Sequence, residues 1–426
     1  MKILFLSDNF PPETNASATR VYERAVFWAR WGHEVTIITS WPNFPQGKLH
    51  AGYENKWYAV EEMDGIRVVR VKTFIAANKG TLLRMIDFLS FMVTAFCAGL
   101  LQHRPDVVVA TSPQFFAAIA GWMLGLARRR PFVFELGDIW PASIIGVGAM
   151  KKNIGLALME QMELFLYRRS ACVVALTQAF KHNLTSRGIR PGKIAVVRNG
   201  VDLSRYQPRP RDEELAAQWS VAGKFVIGYV GTHGMAHNLM NVVEAAELLR
   251  HRDDIALMLV GDGAEREMLL AEVTRRNLSN LIMIGPQPKA LMPKVWSLCD
   301  VALVHLKDSP VFAEVIPSKI FEAMGMGKPL VLVSPRGEAQ EIVEEDGAGL
   351  WVPAGRPDAL AETVLRLRDE PELLARLSET SHNSAPKHSR ETQAVEMLNA
   401  LEIAAAGWGA RVACQPGETK DEDRKQ

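Results

Sequence analysis

Short runs of β-branched and apolar residues recur along this chain, each followed by a longer stretch of helical period. No other feature limits the fold so closely. The first half holds "KILFLS", "EVTIIT", "IRVVRV", "DVVVAT", "PFVFEL", "ACVVAL" and "KIAVVR". Runs without polar alternation describe strands buried on both faces, as parallel strands joined by helices are. The pattern pauses at "NGVDLSRYQPRPRDEE", which has no apolar period and reads as a linker, then restarts with "KFVIGYV", "IALMLV", "NLIMIG", "DVALVH" and "PLVLV". A length of 426 residues with 48% hydrophobic composition supplies two cores rather than one. The expected architecture is α/β, two doubly wound domains in series. Ligands of such sheets sit beyond the carboxyl ends of the strands, so two facing domains imply a cleft between those ends. The boundaries fall at 1–200 and 201–385, followed by a C-terminal helix at 386–406 packing back on the first domain and a disordered tail at 407–426.

Charge and cysteine usage remove several function classes. With 49 basic and 48 acidic residues the formal charge is +1, which offers no general field for nucleic acid. Cys97, Cys172, Cys299 and Cys414 stand singly, with neither C-x-x-C nor metal-ligand spacing, so a reducing cytoplasm and no structural zinc are expected. The opening "MKILFLSDNFPPE" is too short for a signal-peptide hydrophobic region and reads as a first strand.

The chemistry is concentrated in "VFAEVIPSKIFEAMGMGKP", residues 311–329, which sets seven residues between Glu314 and Glu322. It follows the strand "DVALVH", so the helix it opens starts at the strand's carboxyl end. Pro317 suits a first helical turn, where its missing N–H has no intrahelical role. Ser318, Lys319 and Ile320 then offer free backbone N–H groups to an anion, best matched to phosphate, and Lys319 adds a full charge. Glu322 shares the helical face of Lys319 and can accept two hydrogen bonds from a ribose diol. Glu314 reaches past the phosphates towards sugar hydroxyls. The stretch reads as the seat of a nucleotide diphosphate sugar. A surface Lys319–Glu322 pair beside a loop glutamate is the plainer alternative.

"EVIPSKIFEAMGMGKPLV" resembles the Glu-x7-Glu signature of the retaining family-4 glycosyltransferases. "NFPPE", "WGHEVTIIT", "RNGVD", "YVGTHG" and "VGDGAERE" follow in that family's order. "PSKIFEAM" with "DIWP" most resembles bacterial members that build O-antigen, colanic acid or capsule units. The resemblance implies the GT-B fold: two Rossmann-like domains facing across a cleft, the first binding acceptor and the second binding the nucleotide sugar, with UDP favoured. It also implies retention at the anomeric carbon, no required metal and no cofactor.

Carried over residue by residue, the resemblance gives Glu314 the donor sugar and Glu322 the ribose. Where family members carry an Arg and a Lys in the loop after the first strand of the second domain, this chain has Thr232 and His237. Compensation is expected from Lys319, from the N–H groups of Gly231 and Thr232, and from protonated His237. Asp138 in "FELGDIWP" matches the second member of a His-Asp pair, with Gly137 in the histidine's place; it either contacts donor sugar or acceptor, or caps the following helix. Gly261 and Gly263 mark a turn near which family members bind the base, or simple turn chemistry. Asn15, Ser17 and Arg20 either face the acceptor or, for Asn15 and Ser17, cap a helix.

Met85 to Leu101 is the most apolar helical run and reads as a buried helix of the first domain. Arg128, Arg129, Arg130, Lys151, Lys152, Arg168 and Arg169 form a basic set flanking apolar helices. This predicts peripheral docking to anionic lipid at the cytoplasmic face of the inner membrane, with a polyprenyl-diphosphate-linked sugar or an oligosaccharide as acceptor. A non-catalytic nucleotide-sugar-binding subunit and a nucleotide-sugar 2-epimerase are the competing readings.

Overall fold

The computed structural model describes residues 1–13, 15–44, 46–75, 81–112, 115–139 and 154–408. The chain divides into two compact units, residues 1–198 with the chain from Gln393 onward, and residues 199–392.

The first unit runs β1 (Lys2–Leu6), α1 (Ala16–Arg30), β2 (Glu34–Ser40), β3 (Tyr58–Met63), β4 (Ile66–Val71), α2 (Thr81–Leu100), β5 (Val107–Thr111) and α3 (Phe115–Arg128). It continues with β6 (Phe132–Leu136), α4 (Ile154–Arg169), β7 (Cys172–Ala175), α5 (Gln178–Ser186) and β8 (Ile194–Val196). Its sheet has the order β3-β4-β2-β1-β5-β6-β7-β8, parallel except for β3 against β4. Leu4 and Leu6 face one core while Ile3 and Phe5 face another, which is why the strand reads as an unbroken apolar run.

The second unit contains α6 (Glu213–Gln218), β9 (Phe225–Val230), α7 (Met240–Leu248), β10 (Ile255–Val260), α8 (Arg266–Arg275), β11 (Leu281–Ile284), α9 (Met292–Ser297) and β12 (Val301–His305). After these come α10 (Lys319–Gly325), β13 (Leu330–Ser334), α11 (Glu338–Glu345), β14 (Gly349–Pro353), α12 (Pro357–Asp369) and α13 (Pro371–Ser384). Its six strands are parallel in the order β11-β10-β9-β12-β13-β14. Strand order reverses between β9 and β12, so the loops leaving their carboxyl ends flank the topological switch point, where such sheets bind ligands.

The final helix α14 (Arg390–Ala406) puts Ala394, Met397 and Leu401 into the first unit's core, and Trp28 Nε1 donates to the Ala394 carbonyl at 2.9 Å. Residues 199–214, read from sequence as a linker, are instead built into the second unit. Val201 and Tyr206 are buried there, and Val201 exchanges backbone hydrogen bonds with His388 and Arg390 at 2.8 Å each. Asp212 caps α6 by accepting the Leu215 N–H at 3.0 Å.

Helix α2 departs from expectation. Only 22% of its apolar window is buried. Phe91, Ala95 and Ala98 pack inward, whereas Leu83, Ile86, Leu89 and Val93 are exposed. The helix is apolar on both its buried and its exposed face, a pattern that sequence cannot distinguish from full burial. The expected basic set is also altered. Arg128 Nη2 donates to the carbonyls of Gly99 and Gln102 as well as Leu100, so it caps the end of α2. Arg129, Arg168 and Arg169 are exposed, and Lys151 and Lys152 lie outside the described residues. So does the tail beyond Trp408.

Candidate active site

The site in the second unit is built at the switch point from the loop after β9, a 3-10 turn at Pro310–Glu314 after β12, and the start of α10. The loop after β9 is fastened to its neighbours through backbone bonds. Gly231 N–H donates to the Val260 carbonyl at 2.9 Å, His233 N–H to Asp262 at 2.8 Å, and Glu265 N–H to His233 at 2.9 Å. Gly261 and Gly263 are needed for this fastening. A Cβ at Gly261 would lie 1.9 Å from the Gly231 carbonyl oxygen, and one at Gly263 would lie 2.4 Å from that of His233. Their turn therefore has a packing reason for glycine, independent of any ligand.

The Gly231 N–H is thus already spent on Val260 and is not free for a phosphate, contrary to expectation. The ladder to β10 runs one residue past β9. The Thr232 N–H has no backbone partner among the described residues, and Thr232 is exposed. Its carbonyl accepts from the Tyr229 hydroxyl at 2.7 Å.

Lys319 opens α10 and folds its side chain against this loop. Nζ lies 3.8 Å from the centroid of the Tyr229 ring, and a Cβ at Gly231 would stand 2.6 Å from it, so glycine there makes room for the ammonium. Nζ is sealed from solvent and, among the described residues, has no hydrogen-bond partner and no ion pair, Glu322 included. Burial pushes its pKa down to about 7, against a smaller opposing pull from Glu322. The surface Lys319–Glu322 pair is not what the chain forms. An orphaned buried ammonium is costly unless an anion completes it.

Glu322 is held from the other side, where Trp296 Nε1 donates to Oε2 at 3.4 Å. Burial raises its pKa, while the Trp296 bond and the charges of Lys319, Lys289 and Arg390 oppose the rise. Glu314 ends the 3-10 turn half-buried, its pKa raised by burial, with no side-chain partner among the described residues. Gly337 allows this turn to settle: a Cβ there would lie 2.1 Å from the Ala313 carbonyl oxygen. Helix α10 has one free donor fewer than expected, because Ile320 N–H bonds to the Pro317 carbonyl at 3.1 Å. The N–H groups of Ser318 and Lys319 have no backbone partner among the described residues.

His237 is not the cation that sequence suggested. Its Nδ1 lies 3.1 Å from the His305 carbonyl oxygen, and burial, reinforced by Lys319, lowers its pKa to about 4. The imidazole is neutral at pH 7. Tyr229, Trp296, His305 and Asn241 were not read as site residues. Of these only His305 carried a signal, as a histidine at the carboxyl end of a switch-point strand.

The glycosyl transferases group 1 model matches residues 211–384, and the glycosyl transferase 4-like domain matches residues 15–200. The chain belongs to the family-4 type of glycosyltransferase. WcaI of Escherichia coli K12, described as a colanic acid biosynthesis glycosyl transferase, is 25% identical over 78% of this chain and 83% of its own length. A GDP-mannose-dependent alpha-mannosyltransferase of Mycobacterium tuberculosis is 24% identical over 85% of this chain and 88% of its own. The crystal structure of Anabaena HepE in complex with UDP superposes with a TM-score of 0.70 at 20% identity, covering 94% of this chain and 100% of that one. The fold of this glycosyltransferase is GT-B.

In the transferase's first unit two of the three predicted acceptor-side residues, Asn15 and Arg20, serve the structure. Asn15 caps α1 by accepting the Ala18 N–H at 2.8 Å, and its Nδ2 donates to Asn9 Oδ1 at 2.7 Å. Arg20 does not face an acceptor: it is buried and pairs with Glu135 at 3.2 Å, while Arg24 pairs with the same carboxylate. Ser17 is half-buried with no side-chain hydrogen bond among the described residues. Gly137 has no space for a side chain, because a Cβ would stand 2.7 Å from the Ser112 carbonyl oxygen and 2.9 Å from Arg20 Nη2. The guanidinium of Arg20 therefore occupies the room that a histidine would need. Asp138 is half-buried beyond β6, and its N–H is 3.4 Å from Ser112 Oγ. The helix that it was expected to cap lies outside the described residues. Among the described residues no cluster of His, Cys, Asp and Glu has metal-binding geometry.

Proposed function

We propose that this glycosyltransferase moves a sugar, with retention and without a metal, from a nucleotide diphosphate sugar to a lipid-linked acceptor during bacterial surface polysaccharide biosynthesis. The observation that carries the proposal is the sealed, unpaired Lys319 ammonium at the switch point, flanked in sequence by Glu314 and Glu322. A diphosphate supplies the missing anion, and charge stabilisation of the leaving nucleoside diphosphate is the largest task of such a site. The free N–H groups of Thr232, Ser318 and Lys319 add donors. Glu322 takes the ribose diol, Glu314 the donor sugar, and Asp138 a sugar hydroxyl from the first unit, which binds acceptor.

HepE was crystallised with UDP, which favours a uridine donor, whereas the mycobacterial relative's name specifies GDP-mannose. The relation to WcaI supports the polysaccharide setting. Exposed Leu83, Ile86, Leu89 and Val93 on α2, with exposed Arg129, Arg168 and Arg169, support docking on an anionic leaflet at the cytoplasmic face and hence a polyprenyl-diphosphate-linked acceptor.

The test is transfer by the purified chain from UDP- and GDP-sugars to a short-chain polyprenyl-diphosphate sugar in EDTA, with the product's anomeric configuration read by NMR. Product with the donor's configuration supports the proposal; inverted product or a metal requirement contradicts it. A non-catalytic nucleotide-sugar-binding subunit is the second reading, favoured by the spent Gly231 N–H and the neutral His237. It predicts binding with neither transfer nor donor hydrolysis.

A further inference from the structure

Two histidines and Lys319 gather around Tyr229 with a third histidine behind them, and among the described residues no carboxylate is bonded to any of the four. The ring centroids of His233 and His237 lie 6.1 Å and 5.9 Å from that of Tyr229, and the Lys319 ammonium sits on the same ring at 3.8 Å. His305 lies behind them, bonded through Nε2 to Asn241 Nδ2 at 2.9 Å. Among the described residues, both ring nitrogens of His233, Nδ1 of His305 and Nζ of Lys319 are sealed without partners. The charged groups facing the cluster are Arg266 and Asp262 beside His233, and Glu322 beside Lys319; exposed Lys307 follows β12.

The bonding pattern decides which imidazole can change charge. A carbonyl accepts only from an N–H, so the bond to His305 fixes the His237 proton on Nδ1. Nε2 then keeps its lone pair, with no partner among the described residues. His305 uses Nε2 to accept from the Asn241 amide, so gaining a second proton would break that bond. His233 is fully enclosed and next to Arg266, whose charge opposes another. Of the three, His237 alone combines a nitrogen that is not sealed with no bond to lose on taking a proton.

We propose that donor binding in this transferase is proton-coupled: the arriving diphosphate draws a proton from solvent onto Nε2 of His237 and keeps Lys319 charged, so that the second cation missing from the loop is made on binding. The inference rests on the donor reading given above. No covalent bond changes: the proton comes from water or buffer, forms the imidazolium and returns to solvent when the nucleotide leaves. Burial holds His233 and His237 at about 4 and His305 at about 3, so the imidazoles rest neutral, and holds Lys319 at about 7, so that it is only partly charged near neutrality. Binding that favours the protonated form must take up protons, by linkage.

The experiment is titration calorimetry of the full chain with UDP-glucose, GDP-mannose, ADP-glucose and dTDP-glucose. Their diphosphate diesters do not titrate near neutrality, so any proton counted belongs to the protein. The slope of binding enthalpy against buffer ionisation enthalpy gives the count. At pH 6 Lys319 is already largely charged, and the count belongs to His237. The wild type should take up roughly 0.5 to 1 proton there, and His237→Gln, whose amide can still donate to the His305 carbonyl, close to none. At pH 8 Lys319 adds its own share, which His237→Gln retains and Lys319→Met loses. Binding without uptake at both pH values, or an unchanged count in folded His237→Gln, overturns this inference alone. No binding of any probe at any pH overturns the donor reading, and the inference with it.

Discussion

Replacing Lys319 by methionine should stabilise the protein and weaken its hold on the donor. The ammonium is sealed without a partner, and burial lowers its pKa from 10.5 to about 7. At ~1.36 kcal/mol per pKa unit this corresponds to ~5 kcal/mol of cost for keeping the charge inside. Methionine preserves the packing on Tyr229 but loses the cation–π attraction, worth ~0.5–2 kcal/mol. After relaxation of the surroundings a gain of about 2–3 kcal/mol remains. For a unit of this size that raises the unfolding midpoint by roughly 5–10 °C. The pH dependence has a definite sign. The folded pKa lies below the unfolded one, so between about 7 and 10.5 the unfolded state binds more protons and wild-type stability rises with pH. The methionine advantage is therefore full below about pH 7 and fades towards pH 10. Nucleotide-sugar affinity should fall ~10- to 100-fold, the value of a charge-assisted bond of ~1.5–3 kcal/mol. Thermal unfolding at pH 6, 8 and 9.5 with parallel calorimetry reads both quantities. A lowered midpoint at pH 6 with affinity intact would refute the reasoning and make Lys319 a packing residue.

Three further outcomes are expected. Glu314→Gln should reduce kcat by ~10²-fold or more while the donor KM changes only a few fold, because the contact with the sugar matters most as charge develops; steady-state kinetics decides. Glu135→Gln should cost ~3–5 kcal/mol, since it strands the buried guanidiniums of Arg20 and Arg24. Because those arginines hold the Glu135 pKa down at about 2 against desolvation, its contribution is present above about pH 4.5 and is lost as pH falls towards 2, so chemical denaturation across that window should show a pH slope that the variant lacks. Leu83→Glu with Val93→Glu should abolish flotation with anionic vesicles and leave the unfolding midpoint within about 2 °C, as both side chains are exposed; retained flotation would remove α2 from the docking surface.

The strands legible in the sequence were those buried on both faces. Edge strands β3 and β14 escaped notice for a shared reason. "YAVEEM" alternates glutamates outward from a sheet edge, and "GLWVP" opens on glycine and closes on proline, so neither shows a continuous apolar run. Glu314, Lys319 and Glu322 were visible together because one short stretch carries all three. Tyr229, Trp296 and Asn241 complete the surroundings from separate elements, and no spacing links Lys319 to a tyrosine ninety residues away. The fate of the Gly231 N–H was likewise hidden, because whether a ladder continues past a strand's last apolar residue depends on the neighbouring strand. In the first unit Arg20 reads from sequence as an acceptor-facing residue, but the helical turn of α1 points it at Glu135 on β6, a pairing of residues 115 apart.

The most direct test of the donor site is a thermal-shift panel of UDP-, GDP-, ADP- and dTDP-sugars in EDTA, on wild type and Glu322→Ala. At 100 times its Kd a ligand adds roughly 2.7 kcal/mol of stability, several degrees for a unit of this size. One nucleotide class should stabilise the wild type, and the same class should give no shift with Glu322→Ala, whose ribose contact is gone. Stabilisation of the variant equal to that of the wild type, or none of the wild type by any class, would contradict the site assigned to Lys319 and Glu322.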